Sequence, residues 1–211
     1  MNERKPHITH NTGRVEWYTP PAVIKAVRDV LGEIDLDPAS SRIANEIVGA
    51  KKFFTRDDDG LKQDWFGNVF LNPPYSKGLI DKFIDKLRAE IIVGHVKEAV
   101  VLVNAATDTR WYERAIEPAK GICFTRGRIK FIKPDGSFAN QPTCGQVFLY
   151  YGRRCDKFFD VFQNFGVCME TTRRRRIFYQ EFLTNRFHGT PITKPTKKYS
   201  RQTPTTAQIA F

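Results

Sequence analysis

Apolar positions along the chain switch between helical and strand spacing several times. Residues 20–32 carry an amphipathic helical pattern, opened by two prolines and closed by Gly32. Residues 33–40 read as a short strand running into a turn, residues 41–50 as a short helix, and residues 51–55 as a strand. An acidic loop broken by Gly60 fills residues 57–65. Residues 68–76 read as a buried strand that ends in a rigid polar loop. The clearest helix covers residues 77–94, with apolar residues at 79, 80, 83, 84, 87 and 91. A strand at 98–107, a helix at 108–118, two extended pieces within 121–132, a loop at 133–145 and a strand at 146–152 follow. Strands separated by helices predict an α/β sheet with a largely parallel core.

Beyond residue 152 the pattern changes. Residues 157–165 can form a helix, Arg173, Arg174, Arg175 and Arg176 form a dense cationic run, and residues 189–211 are rich in Thr, Pro and Lys. The expected organisation is a flexible arm at 1–15, a main domain at 16–152, a basic extension at 153–188 and a disordered tail at 189–211. Charge follows the same division. Residues 153–211 hold 12 Lys and Arg against 4 Asp and Glu, whereas residues 1–152 hold 22 against 19. A nearly balanced body with a basic C-terminal part suits a polyanionic partner, although excess charge also serves solubility. The sequence has no run of roughly 18 apolar residues and no secretory signal, so the expected location is cytoplasmic. Cys123, Cys144, Cys155 and Cys168 show no zinc-ligand spacing and are expected to be reduced thiols.

The chemistry concentrates in LNPPYS, residues 71–76. Strand ends in open α/β sheets are where ligands bind. Asn72 offers a carbonyl oxygen as hydrogen-bond acceptor, and the Pro73 carbonyl offers a second. Pro73 and Pro74 stiffen the backbone, so the acceptors need little ordering during reaction. Tyr75 supplies a flat face on which a base can stack. Two acceptors around a planar amine hold its protons and aim the nitrogen lone pair outward. Asn and Pro are also ordinary turn residues, so the four residues alone fit a plain turn as well.

Other blocks narrow the reading: EWYTPP (16–21), IDLDPAS (34–40), FFT…DDGL (53–61) and RGRIKF (126–131). Together with LNPPYS, this collinear set resembles the phage-type, Dam-like DNA N6-adenine methyltransferases over residues 15–152. The resemblance implies a Rossmann-like class I methyltransferase, with a mostly parallel seven-stranded sheet and helices on both faces. It implies methyl transfer from S-adenosylmethionine to adenine N6 in double-stranded DNA, by direct displacement on a flipped-out base. Asn72, Pro73, Pro74 and Tyr75 then form the adenine pocket. Asp35, Asp37, Pro38 and Ala39 take the place of the first cofactor motif. Trp17, Tyr18, Thr19 and Pro20 close over the methionine end, and Asp58 and Asp59 lie near the adenine half. For a phage protein, the cytoplasm is the host's.

Three observations bound that resemblance. SSRIAN follows DPA where most class I methyltransferases carry a glycine-rich turn. Asp35 and Asp37 alternate with Ile34 and Leu36, which a purely structural strand also does. Related amino-group methyltransferases act on RNA or on a protein glutamine, and phosphate contacts do not separate DNA from RNA. Arg126, Arg128 and Lys130 alternate along an extended stretch, as side chains that meet phosphates together do. Edge-strand protection gives the same pattern. Trp65 and Trp111 are expected in packing rather than as base platforms. Replacing Arg173 to Arg176 with Ala should lower DNA affinity and flatten its salt dependence. An unchanged log–log slope in a salt titration would show that the run touches no phosphates.

Overall fold

A computed structural model of the chain describes residues 17–133, 136–138 and 144–171. The arm at 1–15, the arginine run at 173–176 and the tail at 189–211 lie outside the described residues.

The first described residues run over one end of a sheet. Tyr18 exchanges both main-chain hydrogen bonds with Ile132, at 2.7 and 2.9 Å. Helix α1 (Pro21–Leu31) starts at Pro20 and Pro21, whose fixed φ suits a first turn, and stops at Gly32. Strand β1 (Leu36–Asp37), helix α2 (Arg42–Val48) and strand β2 (Lys52–Phe53) follow. Ser41 caps α2 by accepting the Ala44 N–H. Strand β3 (Gly67–Leu71) leads into a 3-10 turn at Ser76–Gly78 and helix α3 (Leu79–Val93). Next come β4 (Val96–Asn104), α4 (Arg110–Ile116), β5 (Gly121–Thr125), β6 (Gln146–Tyr151), α5 (Cys155–Phe162) and β7 (Gly166–Glu170).

The described strands form one seven-stranded sheet, ordered β2-β1-β3-β4-β6-β5-β7. Its faces follow the period-2 rule. On β4, Ala99, Val101 and Val103 pack with Ile80, Phe83, Ile84 and Leu87 of α3 and with Trp111 and Tyr112 of α4. Val100 and Leu102 pack on the other face, with Val27 and Val30 of α1 and Phe158 and Phe162 of α5. Helices therefore cover both faces, as expected. Trp65 (1% exposed) and Trp111 (8%) are packed inside.

One expectation is overturned: the sheet is mixed, not mostly parallel. β2, β1, β3 and β4 pair in parallel. β6 enters between β4 and β5 and runs antiparallel to both, and β7 runs antiparallel to β5. Every residue of β6 is buried. A strand covered on both faces reads as a continuous apolar run whatever its direction, so its reversal leaves no trace in the pattern. The packed body also continues past residue 152, where the sequence pattern changes: α5 joins the core and β7 joins the sheet. No described helix is long and apolar enough to cross a membrane.

Candidate active site

The order of the parallel strands defines where a ligand can sit. From β1 the chain moves outward through α2 to β2, then crosses back to β3 on the other side of β1. The connections after β1 and β3 thus depart in opposite directions, the arrangement at which open α/β sheets take ligands. Leu36 is in register with Val69. Asp37 and Asn72 therefore emerge from neighbouring strands at the same edge.

Asn72 is half-buried, Pro73 is buried, and Pro74 and Tyr75 are exposed. The loop is thus not sealed by packing. The Asn72 side chain donates through Nδ2 to Oγ1 of Thr19, at 3.4 Å. Among the described residues no donor reaches its Oδ1, so the acceptor oxygen of the amide is left unengaged there. Tyr75 is 43% exposed. Its oxygen end is nevertheless enclosed, and accepts the main-chain N–H of Asn104 at 2.5 Å. Burial of that end pushes the phenol's pKa up, partly offset by the Asn104 N–H. Trp111 meets the ring edge-on, with centroids 6.1 Å apart. The ring is thereby fixed at its oxygen and along one edge while nearly half of its surface stays open.

Asp37 is 4% exposed. Its carboxylate accepts the Ala39 N–H at 3.2 Å, and none of the ion pairs among the described residues reaches it. Desolvation raises its pKa from 3.8 to about 6, against the lowering effects of the Ala39 N–H and the Ser40 hydroxyl. A buried carboxylate without a cation is costly. The turn that carries it is tied to the acidic loop. A Cβ on Gly60 would lie 2.0 Å from the Pro38 carbonyl oxygen, so only glycine allows this approach. Trp65 donates its indole N–H to the Gly60 carbonyl at 2.7 Å and holds the loop there.

The other acids are engaged locally. Asp58 accepts from the N–H and hydroxyl of Thr55 at 2.8 and 2.7 Å, and these bonds lower its pKa. Asp59, at φ 50°, accepts the Leu61 N–H and pairs with Lys62. Asp35 lies at the amino end of β1, away from the Asp37 turn, where its carboxylate accepts the Asn68 N–H at 2.9 Å and pairs with Lys51 at 3.0 Å. Trp17 packs on Phe131 at 6.2 Å, and its buried indole N–H has no acceptor among the described residues. Thr19 is buried, and Pro20 and Ala39 are half-buried.

Arg126, Arg128 and Lys130 are all exposed. They line an open cleft of about 540 Å³ together with Pro20–Val23, Phe138 and Phe165. They do not share a strand face. Gly127, at φ 78°, bends the chain after Arg126, and only Arg128 and Lys130 flank buried Ile129. Sequence reasoning missed Asn104 and Gln146, which turn out to touch this machinery. Each is a polar residue flanking an unbroken run of buried residues, 99–103 in β4 and 147–151 in β6, the same signal that marked Asn72.

The architecture is that of an α/β protein with a strand-order reversal between β1 and β3, where an Asn-Pro-Pro-Tyr loop and a buried acid leave neighbouring strands. A model of the DNA N-6-adenine-methyltransferase (Dam) family matches residues 7–154. The chain belongs to that family. A DNA N-6-adenine-methyltransferase of Haemophilus phage HP1 is 30% identical over 119 residues, which span 55% of this chain and 65% of that protein. The chain thus covers just under two thirds of that relative's length. No solved structure matches it.

The Asp37 geometry makes a signed prediction. Its folded-state pKa of about 6 lies above the ordinary 3.8, so the folded state binds the proton more tightly than the unfolded state does. Stability from this group is full below about pH 4 and is lost as pH rises through about 6. Asp37→Asn keeps the acceptor for Ala39 and removes the charge. It should stabilise the ligand-free protein near pH 7 by up to about 3 kcal/mol, and by nothing near pH 4. Urea unfolding at both pH values checks this. Equal effects at the two would contradict the burial argument.

Proposed function

We propose that this protein transfers a methyl group from S-adenosylmethionine to N6 of adenine in double-stranded DNA, with the target base turned out of the helix. The observation that carries this reading is the pairing, at one strand-order reversal, of a buried carboxylate with an Asn-Pro-Pro-Tyr loop, where among the described residues no cation pairs with the carboxylate and no donor reaches the Asn72 amide oxygen. Family membership and the name of the phage relative point the same way. The sheet is read as a Rossmann-like methyltransferase sheet whose last strands are reversed.

The residues present fit the cofactor. Asp37 supplies a desolvated negative charge, and the buried Trp17 indole N–H has no acceptor among the described residues. Asp37, Pro38 and Ala39 would hold it from the β1 turn, Trp17 to Pro20 from above, and the Asp58–Asp59 loop from the side. Asp35 is left out of this set, because its carboxylate is engaged with Asn68 and Lys51. When bound, the sulfonium supplies an electrophilic methyl group.

The chain's own residues do the rest. Asn72 Oδ1 and the Pro73 carbonyl accept the two amine protons, so that the nitrogen lone pair faces the donor. Buried Pro73 and the Thr19 contact keep these acceptors in place before the base arrives, which is positioning by preorganisation. Tyr75 offers the open face of its ring to the extruded base. A displaced base is attractive to such a surface, with stacking worth about 1–3 kcal/mol. Arg126, Arg128 and Lys130 contact the phosphate backbone and set the register of the duplex. No covalent intermediate with the protein is needed.

Asn72→Ala tests this directly. Methyl transfer to DNA should fall by at least about a hundredfold, as for the loss of one preorganised polar contact. Affinity for S-adenosylmethionine, measured by calorimetry, should stay within about threefold, less than one ordinary hydrogen bond. Wild-type turnover in that variant would remove the proposed role.

A further inference from the structure

Gln146 is a buried polar residue whose amide does more than fill space. It opens β6, is 3% exposed, and the strand after it is fully buried. Leu or Met would fill a similar volume. Yet every hydrogen-bonding group of its amide is used. Oε1 accepts the Ile129 N–H at 3.0 Å. Nε2 donates to the Cys144 carbonyl at 2.7 Å and, more weakly, to Asn104 Oδ1 at 3.4 Å. Its main-chain carbonyl accepts the Thr125 hydroxyl at 3.0 Å.

These partners lead to two different parts of the site. Ile129 is 9% exposed and sits between exposed Arg128 and Lys130. Asn104 faces Gln146 across the β4–β6 ladder, and its own main-chain N–H donates to the Tyr75 oxygen. One side chain therefore joins the cationic stretch to the aromatic ring of the Asn-Pro-Pro-Tyr loop. Sealed from water, its bonds are stiff, and breaking one strands a buried polar partner.

We propose that Gln146 is a positioning residue, whose amide fixes Arg128 and Lys130 relative to Tyr75 so that phosphate grip and base presentation share one register. The inference rests on reading Arg128 and Lys130 as phosphate contacts and Tyr75 as the base platform. Gln146 touches no substrate. Its acceptor half serves the cations and its donor half serves Tyr75, so the halves separate by substitution. Gln146→Leu removes both. Gln146→Glu keeps an acceptor for Ile129 and loses the donors to Cys144 and Asn104.

The test is the salt dependence of binding to a short unmethylated duplex, using the full chain, with turnover measured alongside. Arg128→Ala with Lys130→Ala should lower the log–log slope by about 2 in the native background, nearly one per phosphate lost. Gln146→Leu should lower it nearly as much by itself, and adding the double substitution should then change little, a strong departure from additivity. Gln146→Glu should keep the native slope and the KM for DNA, while kcat falls about ten- to hundredfold, as expected for a misplaced platform. Simple destabilisation would move neither the slope nor its additivity among folded molecules. The inference is overturned if the double substitution removes the same slope with and without Gln146, or if Gln146→Glu leaves kcat unchanged. Should the double substitution leave the native slope untouched, the phosphate-contact reading itself falls and takes the inference with it. That outcome is seen before any Gln146 variant is made, so the two failures are distinct.

Discussion

The parallel pairing of a two-residue strand, Leu36–Asp37, with Val69 of β3 governs the rest of the site. Because β2 lies on one side of β1 and β3 on the other, the chain must leave β1 and β3 in opposite directions. Neither connection can then cover the strand ends between them. Whatever enters there meets the Asp37 turn on one side and the Asn72 loop on the other. Sliding this register by one residue would turn Asp37 toward the opposite face and separate the two.

That placement carries an energetic cost which the surroundings only partly relieve. Asp37 is almost wholly out of water, with the Ala39 N–H and the Ser40 hydroxyl beside it and no cation paired with it among the described residues, and its raised pKa records the penalty. The neighbouring structure is built to keep the turn in place regardless. Gly60 lets the acidic loop lie directly on Pro38, Trp65 holds Gly60 by a hydrogen bond, and the Ser40 N–H donates to the Phe54 carbonyl at 2.8 Å. A cationic ligand would turn the same carboxylate from a liability into a binding contact. The Asn72 loop follows the opposite logic: its framework is buried and bonded, and its working groups are left free.

Much of this was legible in the chain. Helices α1 and α3 announce themselves by apolar spacing, and β3, β4 and β6 by uninterrupted apolar runs. Asn72 and Asp37 stood out because polar residues followed buried strands. What stayed hidden depends on partners distant in sequence. β7 is short, mostly exposed and contains Gly, Cys and Met, and it is a strand only because β5 is beside it. The direction of β6 is invisible in a run buried on both faces. Asp35 and Asp37 alternate alike with apolar neighbours along the chain, yet Asn68 and Lys51 occupy one while no cation among the described residues pairs with the other. The link from Tyr75 through Asn104 and Gln146 to Ile129 joins segments 17 to 42 residues apart, and no local pattern encodes it.

The most direct measurement is incubation of the protein with methyl-labelled S-adenosylmethionine and unmethylated duplex DNA, followed by digestion and nucleoside separation. Label in N6-methyldeoxyadenosine is the predicted result, with none in parallel incubations with RNA or with protein. Label in a cytosine derivative, in RNA or in a polypeptide would contradict the account, as would DNA left unlabelled by protein that binds the cofactor.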